Sequence, residues 1–102
     1  MDENPLPVVV YTNRADADAN AIKDYLIYKF SQKEVDNFYG LLISFEKVVL
    51  TFPEPYPIAA NGKNIRRAVL TKQLSVFYRI RHGGVISVIA ILDNRMNPTK
   101  WP

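Results

Sequence analysis

The spacing of hydrophobic and polar residues changes once along the chain, from a helical period to a period of two. Val8–Tyr11 is a short β-branched and aromatic run, typical of a strand. The next two segments carry apolar residues at i, i+3, i+4 spacing, which predicts two amphipathic helices forming a hairpin, the second running to about Thr51. The first apolar stripe contains Ala21, Ile22, Tyr25, Leu26, Phe30 and the stem of Lys29, and the second contains Val35, Phe38, Leu42, Phe45, Val49 and Phe52.

The predicted helices have recognisable boundaries. Asn13 is a candidate N-cap, with Asp16 in the first turn favouring the positive end of the helix. Ser31-Gln32-Lys33-Glu34 has the form of a capping box and indicates the start of the second helix. The prolines in residues 52–57 cannot continue that helix, so this stretch is predicted to be an extended connector, followed by an Asn61-Gly62 turn.

Three consecutive strands are predicted beyond the connector, at residues 65–70, 74–81 and 85–92. A two-residue turn at Gly83-Gly84 would mix apolar and polar residues on both faces of the last hairpin, whereas a three-residue loop with a glycine in the left-handed region separates them. The three-residue loop pairs Ile80 with Ile86, Tyr78 with Val88, Val76 with Ala90 and Leu74 with Leu92 on one face, and Arg81 with Val85, Arg79 with Ser87 and Phe77 with Ile89 on the other. We expect the helices to cover the first face. The second, with its arginines beside Phe77, Ile89 and Ile91, is too apolar for an indifferent solvent face and is expected to bind partners.

These elements describe an α+β fold in one domain spanning residues 1–102, with residues 1–5 expected to be disordered. The 102 residues are 48% hydrophobic, which argues against wholesale disorder. With no cysteine and one histidine, His82, the sequence has no disulfide framework, no recognisable metal-ligand set and no hydrolase triad, so no metal and no cofactor are predicted. The longest apolar run is far shorter than a membrane span and no secretory signal is visible, so we expect a cytoplasmic protein without membrane contact.

Charge divides the chain into an acidic part and a basic part. Residues 1–60 carry a net charge of −4, and residues 61–102 carry +7 with Asp93 as their one acidic residue. This asymmetry indicates either an anionic partner or merely a basic solvent face. Arginine suits phosphate or carboxylate partners, and Trp101 could contact a partner or cover its own core. The basic residues are Lys63, Arg66, Arg67, Lys72, Arg79, Arg81, Arg95 and Lys100.

The order strand, helical hairpin, three-stranded meander resembles the RelE/ParE superfamily of toxin–antitoxin toxins over residues 8–101. The residues that carry the resemblance are Asn13-Arg14-Ala15, Ile22-Lys23-Asp24-Tyr25, Ile65-Arg66-Arg67, Val76-Phe77-Tyr78-Arg79-Ile80 and the stretch from Asp93 to Trp101. It implies the β-α-α-β-β-β fold of that superfamily, with the helical hairpin packed on one face of a mainly antiparallel sheet.

The superfamily combines two activities with one fold, so the fold does not choose between them. RelE-like members cut messenger RNA on the ribosome with basic residues and a Tyr or His near the C-terminus, whereas ParE-like members inhibit DNA gyrase. Arg95 matches a basic position of RelE-like toxins, but Leu70 stands where they have a mid-sheet arginine. Trp101 stands near their terminal Tyr, and its indole offers no acid or base.

The resemblance therefore implies a ParE-like toxin that binds DNA gyrase and is neutralised by a cognate antitoxin. Two alternatives stay open: a metal-independent, ribosome-dependent endoribonuclease acting on ribosome-bound mRNA, or a decayed toxin that binds only its antitoxin. The predicted partner-binding residues are Arg66, Arg67, Arg79, Arg81, Arg95 and Trp101. In the ribonuclease alternative, the predicted catalytic residues are Lys63, Arg66 and Arg95.

Overall fold

The computed structural model describes residues 8–59 and 64–96. The elements are β1 Val8–Tyr11, α1 Asn13–Lys29, α2 Gln32–Thr51, β2 Ile65–Val69, β3 Leu74–Ile80 and β4 Val85–Asp93, with one 3₁₀ turn at His82–Gly84. The predicted order of a strand, two helices and three strands is confirmed. The predicted disorder of residues 1–5 and the predicted Asn61-Gly62 turn lie outside the described residues.

The four strands form one mixed sheet in the order β1-β4-β3-β2. β4 pairs antiparallel with β3, and β3 pairs antiparallel with β2, whereas β1 pairs parallel with β4. Parallel neighbours need a long crossover, and the connection from β1 to β4 includes both helices and the other two strands. The two helices pack on one face of the sheet, so the predicted α+β fold is confirmed.

Both helix starts differ in detail from the prediction. Thr12, and not Asn13, is the N-cap of α1: its backbone is extended and its Oγ1 accepts a hydrogen bond from the Ala15 N–H at 3.1 Å. Asn13 is already helical, because the threonine one position earlier has the hydroxyl that reaches this donor. Ser31 is the N-cap of α2, as predicted, but its side chain makes no capping hydrogen bond, so the capping box is not formed.

The two apolar stripes pack largely as predicted, with errors at single positions. On α1, Ile22 and Leu26 are buried together with Ala15, which the predicted stripe did not include, whereas Ala21 and Phe30 are exposed. Five of the six predicted residues of α2 are buried. Phe52 is 68% exposed because the helix ends at Thr51 and the chain turns to extended backbone there.

The pairing of β3 with β4 follows the prediction near the turn and then shifts by one residue. The pairs Ile80–Ile86, Arg79–Ser87 and Tyr78–Val88 are confirmed, and the register shifts between Tyr78 and Phe77. The predicted pairs Phe77–Ile89, Val76–Ala90 and Leu74–Leu92 are therefore wrong, and the structure has Phe77–Ala90, Val76–Ile91, Ser75–Leu92 and Leu74–Asp93. Ile91 consequently lies with Val76 in the core, only 3% exposed, and not on the second face.

The start of α1 accounts for this bulge in β4. Beyond Tyr11 the strand β1 has ended, and Thr12 continues the hydrogen bonding: its N–H donates to the Val88 carbonyl at 3.0 Å and its hydroxyl donates to the Ile89 carbonyl at 3.1 Å. The Ile91 N–H then donates to the Asp18 carboxylate at 3.0 Å. Side chains of the helix thus satisfy the backbone groups that the bulge leaves unpaired.

The hairpin between β3 and β4 has the predicted three-residue loop. The Arg81 N–H donates to the Val85 carbonyl at 2.7 Å and closes the loop. Gly83 and Gly84 have φ of 77° and 79°, a region that favours glycine. Both positions of the loop therefore depend on the conformational freedom of glycine.

We call the side of the sheet that faces the helices the closed face, and the opposite side the open face. The closed face carries the buried residues Ala68, Leu74, Val76, Tyr78, Ile86, Val88 and Ile91. Tyr78 lies at its centre, 0% exposed, with its ring edge-on to Phe45 at 5.4 Å between centroids. The predicted packing of the helical hairpin on this face is confirmed. Neither helix of the described part is long and apolar enough to cross a membrane.

Candidate partner-binding surface

The predicted basic residues are divided between the two sides of the sheet. Arg67 stands opposite Phe77 and Arg79 opposite Ile65, which places both on the open face. Arg81 lies just beyond the end of β3, two residues after Arg79. Arg66 stands opposite Tyr78 and therefore belongs to the closed face. Arg95 follows β4 and contacts α2 on the closed side. Lys63 and Trp101 lie outside the described residues.

The side chain of Arg95 is held by carboxylates. Its Nε and Nη2 donate to the two oxygens of Asp93 at 3.0 and 2.7 Å, and its Nη1 lies 3.6 Å from Glu34. The guanidinium also lies over the ring of Phe30, 5.3 Å from its centroid. The Asp93 side chain is 1% exposed, and the hydrogen bond with this carboxylate raises the pKa of Arg95. Arg95 therefore compensates a buried charge.

Arg66 holds the proline-rich connector against the sheet. Its Nη1 donates to the Tyr56 carbonyl at 2.7 Å, and its Nη2 lies 3.9 Å from Glu54. Nearby, the Tyr78 hydroxyl donates to the Pro53 carbonyl at 2.8 Å. Burial raises the pKa of Tyr78 to about 12, so this hydroxyl stays protonated near neutral pH.

Arg66 and Arg95 are not brought together. Arg95 contacts Glu34 in the first turn of α2, whereas Arg66 contacts the connector that follows the last turn. A helix of the length of α2 spans about 30 Å at 1.5 Å per residue. Two members of the predicted catalytic set are thus at opposite ends of the helix, each beside a carboxylate.

The structure brings Arg67, Arg79 and Arg81 together on the open face. The Arg67 Nε donates to the Ser75 hydroxyl at 3.3 Å, and its guanidinium lies 5.6 Å from the centroid of the Phe77 ring. The Arg79 Nε is buried and has no hydrogen-bond partner among the described residues. Within residues 8–59 and 64–96, neither Arg79 nor Arg81 makes an ion pair.

Apolar side chains surround these arginines. Val8 and Val10 of β1 are 45% and 43% exposed, and Val69 of β2 is 57% exposed. Ile65 and Phe77 are half-buried on the same face. Neither helix covers this side of the sheet, so the open face presents a mixed basic and apolar surface, a composition typical of protein interfaces.

Two further features of the structure, both with polar side chains, were not predicted from the sequence. One is the Asp93–Arg95 pair, which the isolated position of Asp93 in the basic part of the chain and its spacing of two residues from Arg95 could have indicated. The other is a depression of about 270 Å³ between the helices and β1, where the Tyr11 hydroxyl donates to Glu46 at 2.6 Å. Burial raises the pKa of Tyr11, and the neighbouring carboxylate raises it further. The described residues contain no group of three or more His, Cys, Asp or Glu side chains placed to hold a metal ion.

The fold and the sequence together define a class of toxin. The family model described as ParE toxin of type II toxin-antitoxin system, parDE, matches residues 9–98. The chain therefore belongs to the ParE toxin family, a family of type II toxins, and the predicted membership of the RelE/ParE superfamily is confirmed. No curated protein sequence matches the chain.

Solved structures show the same fold at low sequence identity. The chromosomal ParDE toxin–antitoxin system of P. aeruginosa superposes with a TM-score of 0.71 at 16% identity, covering 86% of this chain and 96% of the other. The E. coli DinJ-YafQ toxin-antitoxin complex gives 0.62 at 10% identity, covering 91% and 98%. YafQ from E. coli strain BL21(DE3) gives 0.61 at 10% identity, covering 88% and 96%.

Proposed function

We propose that the protein is a ParE-like toxin that inhibits DNA gyrase by binding it, acts in the cytoplasm, and is neutralised by a cognate antitoxin. The family match supports the toxin assignment, and the structural likeness to toxin–antitoxin systems supports an antitoxin partner. We place the contact with gyrase on the open face, through Arg67, Arg79 and Arg81.

The main support for inhibition by binding, and against cleavage, is the position of Arg66 and Arg95 and the contacts that they already make. Phosphodiester cleavage needs cations that are free to meet developing charge at one point, together with groups that transfer protons. Arg66 and Arg95 lie at opposite ends of α2 and contact carboxylates already. Tyr78 and Tyr11, whose hydroxyls are engaged by Pro53 and Glu46, keep their protons at neutral pH. This arrangement favours a binding surface over a catalytic centre.

Pulse labelling after induced expression without antitoxin tests this function. We expect DNA synthesis to fall before protein synthesis, and we expect the purified toxin to inhibit supercoiling by purified gyrase. A fall in protein synthesis within minutes, with continued DNA synthesis and cleaved ribosome-bound transcripts, would show the ribonuclease activity instead. No effect on either synthesis would show that the chain is no longer toxic.

Variants locate the surface in the same assays. The double variant Arg79→Met, Arg81→Met is expected to raise the toxin concentration needed for gyrase inhibition by at least about tenfold, because it removes two interface charges. Arg14→Met is the matched control: it removes a positive charge from the exposed side of α1, and we expect no change. Equal inhibition by the double variant and the control would place the contact elsewhere on the toxin.

A further inference from the structure

The environment of Arg79 indicates what type of partner the open face binds. We propose that this face binds an acidic, apolar polypeptide segment, with a carboxylate of the segment pairing with Arg79 and its apolar side chains packing on the surrounding valines and Phe77. This inference rests on the proposed function, because it specifies the kind of partner segment that the same surface binds.

Arg79 needs an acceptor that the described chain does not provide. Its Nε is buried without a hydrogen-bond partner, and the residues opposite it on the neighbouring strands are Ile65 and Ser87. A buried donor without an acceptor is unfavourable, and an unpaired guanidinium more so. A negatively charged acceptor on a binding partner would provide both the missing hydrogen bond and the missing opposite charge.

The one carboxylate side chain in the basic part of the chain is not available to Arg79. Asp93 is the one acidic residue in 61–102, and its side chain is 1% exposed and bound to Arg95 on the closed side. Within the described residues, Arg79 and Arg81 make no ion pair. No carboxylate of the described residues therefore pairs with Arg79, which leaves its charge available to a partner.

The apolar surroundings favour a polypeptide over a nucleic acid. A phosphate backbone is bound chiefly by cations that reach into solvent. Here Arg81 is exposed, but Arg67 and Arg79 are half-buried, and the surface between and beside them is formed by Phe77, Ile65 and exposed valines. Arginine among apolar side chains is typical of the central residues of protein interfaces, and its planar group binds a carboxylate through two hydrogen bonds.

The length of β3 limits the size of the segment. Its seven residues extend over about 23 Å at 3.3 Å per residue. A segment of about seven extended residues covers this length, and only one or two carboxylates are needed to meet Arg79 and Arg81.

Binding to defined polymers tests the inference without gyrase or antitoxin. The probes are a random glutamate–tyrosine copolymer, polyglutamate of equal charge and a 20-base-pair DNA duplex, each titrated with the purified toxin. We expect the copolymer to bind at least about tenfold more tightly than either of the others, because only it offers carboxylates and apolar side chains together. Tighter binding of the duplex would indicate a nucleic-acid surface, and equal binding of copolymer and polyglutamate would indicate simple charge attraction; either result overturns the proposal.

Three variants connect the binding to Arg79. Arg79→Met keeps the buried stem and removes the charge, and should weaken copolymer binding about tenfold, as expected for a lost charged hydrogen bond. Arg79→Lys should restore this only in part, because an ammonium cannot form the two parallel hydrogen bonds. Arg14→Met should bind as wild type. Thermal melting verifies that each variant is folded, and an Arg79→Met protein that melts normally and binds the copolymer as wild type would refute the role of Arg79.

These results are independent of the cellular target. A toxin that spares gyrase in cells but binds the copolymer through Arg79 would refute the proposed function and support the inference. Gyrase inhibition without copolymer binding would support the proposed function and refute the inference.

Discussion

The arginines on the closed side of the sheet contact carboxylates, whereas the open side places its arginines on a largely apolar surface. Arg95 meets two carboxylates and Arg66 meets a carbonyl and a carboxylate. Arg79 and Arg81 make no ion pair among the described residues, and the Arg79 Nε lies buried without an acceptor. Arginine therefore occupies two different environments in one small domain.

This difference teaches that the basic charge of the second part of the chain is not one uniform patch. On the closed side, arginine compensates a buried carboxylate and fastens a connector, so its removal should destabilise the fold. On the open side, arginine adds charge to an exposed apolar surface, so its removal should leave the fold intact and weaken partner binding. Stability measurements can therefore separate the two groups.

The largest expected effect is on the closed side, at Asp93. Asp93→Ala removes the buried partner of Arg95, and we expect the free energy of unfolding to fall by about 3 kcal/mol. Urea unfolding at neutral pH measures this. Arg79→Met, measured in parallel, should cause no loss of stability, because the Nε that it removes is buried without an acceptor. Similar losses in the two variants would contradict the distinction between the two sides.

A smaller effect is expected at Tyr78, and it depends on pH. Tyr78→Phe removes the hydrogen bond to the Pro53 carbonyl and should cost about 1 kcal/mol at pH 7. Because the pKa of Tyr78 is raised to about 12 in the fold, above its ordinary value of 10.0, the stability that its neutral form provides is complete below pH 10. It is lost as the pH rises from 10 towards 12.

Wild-type protein should therefore lose more stability than Tyr78→Phe over that alkaline range, by up to about 2 kcal/mol, and urea unfolding at several pH values will show the difference. The variant should retain some alkaline sensitivity, because the pKa of Tyr11 is raised as well. Parallel curves for the two proteins would mean that the Tyr78 hydroxyl is not held as described.

The bulge that shifts β4 residues between the two faces gives the next prediction. Thr12→Ala removes the cap of α1 and the hydrogen bond to the Ile89 carbonyl together, at an expected cost of about 1–2 kcal/mol in thermal or urea unfolding. Thr12→Ser keeps the hydroxyl and should lose less than half as much. Equal losses would assign the effect to the methyl group.

The smallest effect on stability is expected at Arg81. This residue is exposed at the end of the β3–β4 hairpin, and Arg81→Met should change the melting temperature by no more than about 2 °C. Its effect should appear instead as weaker gyrase inhibition. A clear loss of stability would show that the open side also depends on its arginines.

The sequence predicted the elements and the helix-covered face well because these depend on local periodicity. The helical spacing from Val35 to Val49 and the alternation around Tyr78 each leave one arrangement that buries the apolar residues. The bulge could not be predicted this way, because it is caused by hydrogen bonds that join Thr12 and Asp18 with residues more than seventy positions away. An apolar pattern of Ile89, Ile91 and their neighbours fits either register.

The candidate site was predicted less well for a related reason. Charge composition identified the arginines, but it does not tell which of them already has a partner. The assignment of Arg66 to the closed face follows from its register opposite Tyr78, and the pairing of Arg95 follows from the burial of Asp93. Both depend on the tertiary structure, so the sequence alone grouped residues that the fold separates.

The parallel pairing of β1 with β4 has a consequence for how the toxin is made. Thr12 and Ile89, which join these strands, are 77 residues apart, so β1 has no strand to pair with until nearly all the described chain has been synthesised. At about 5–20 residues per second, this interval lasts roughly 4–15 s on the ribosome. During this time the sheet lacks the strand that joins β1 to β3, so neither of its faces is complete. A nascent toxin is therefore expected to be harmless to the cell that translates it until β4 has emerged.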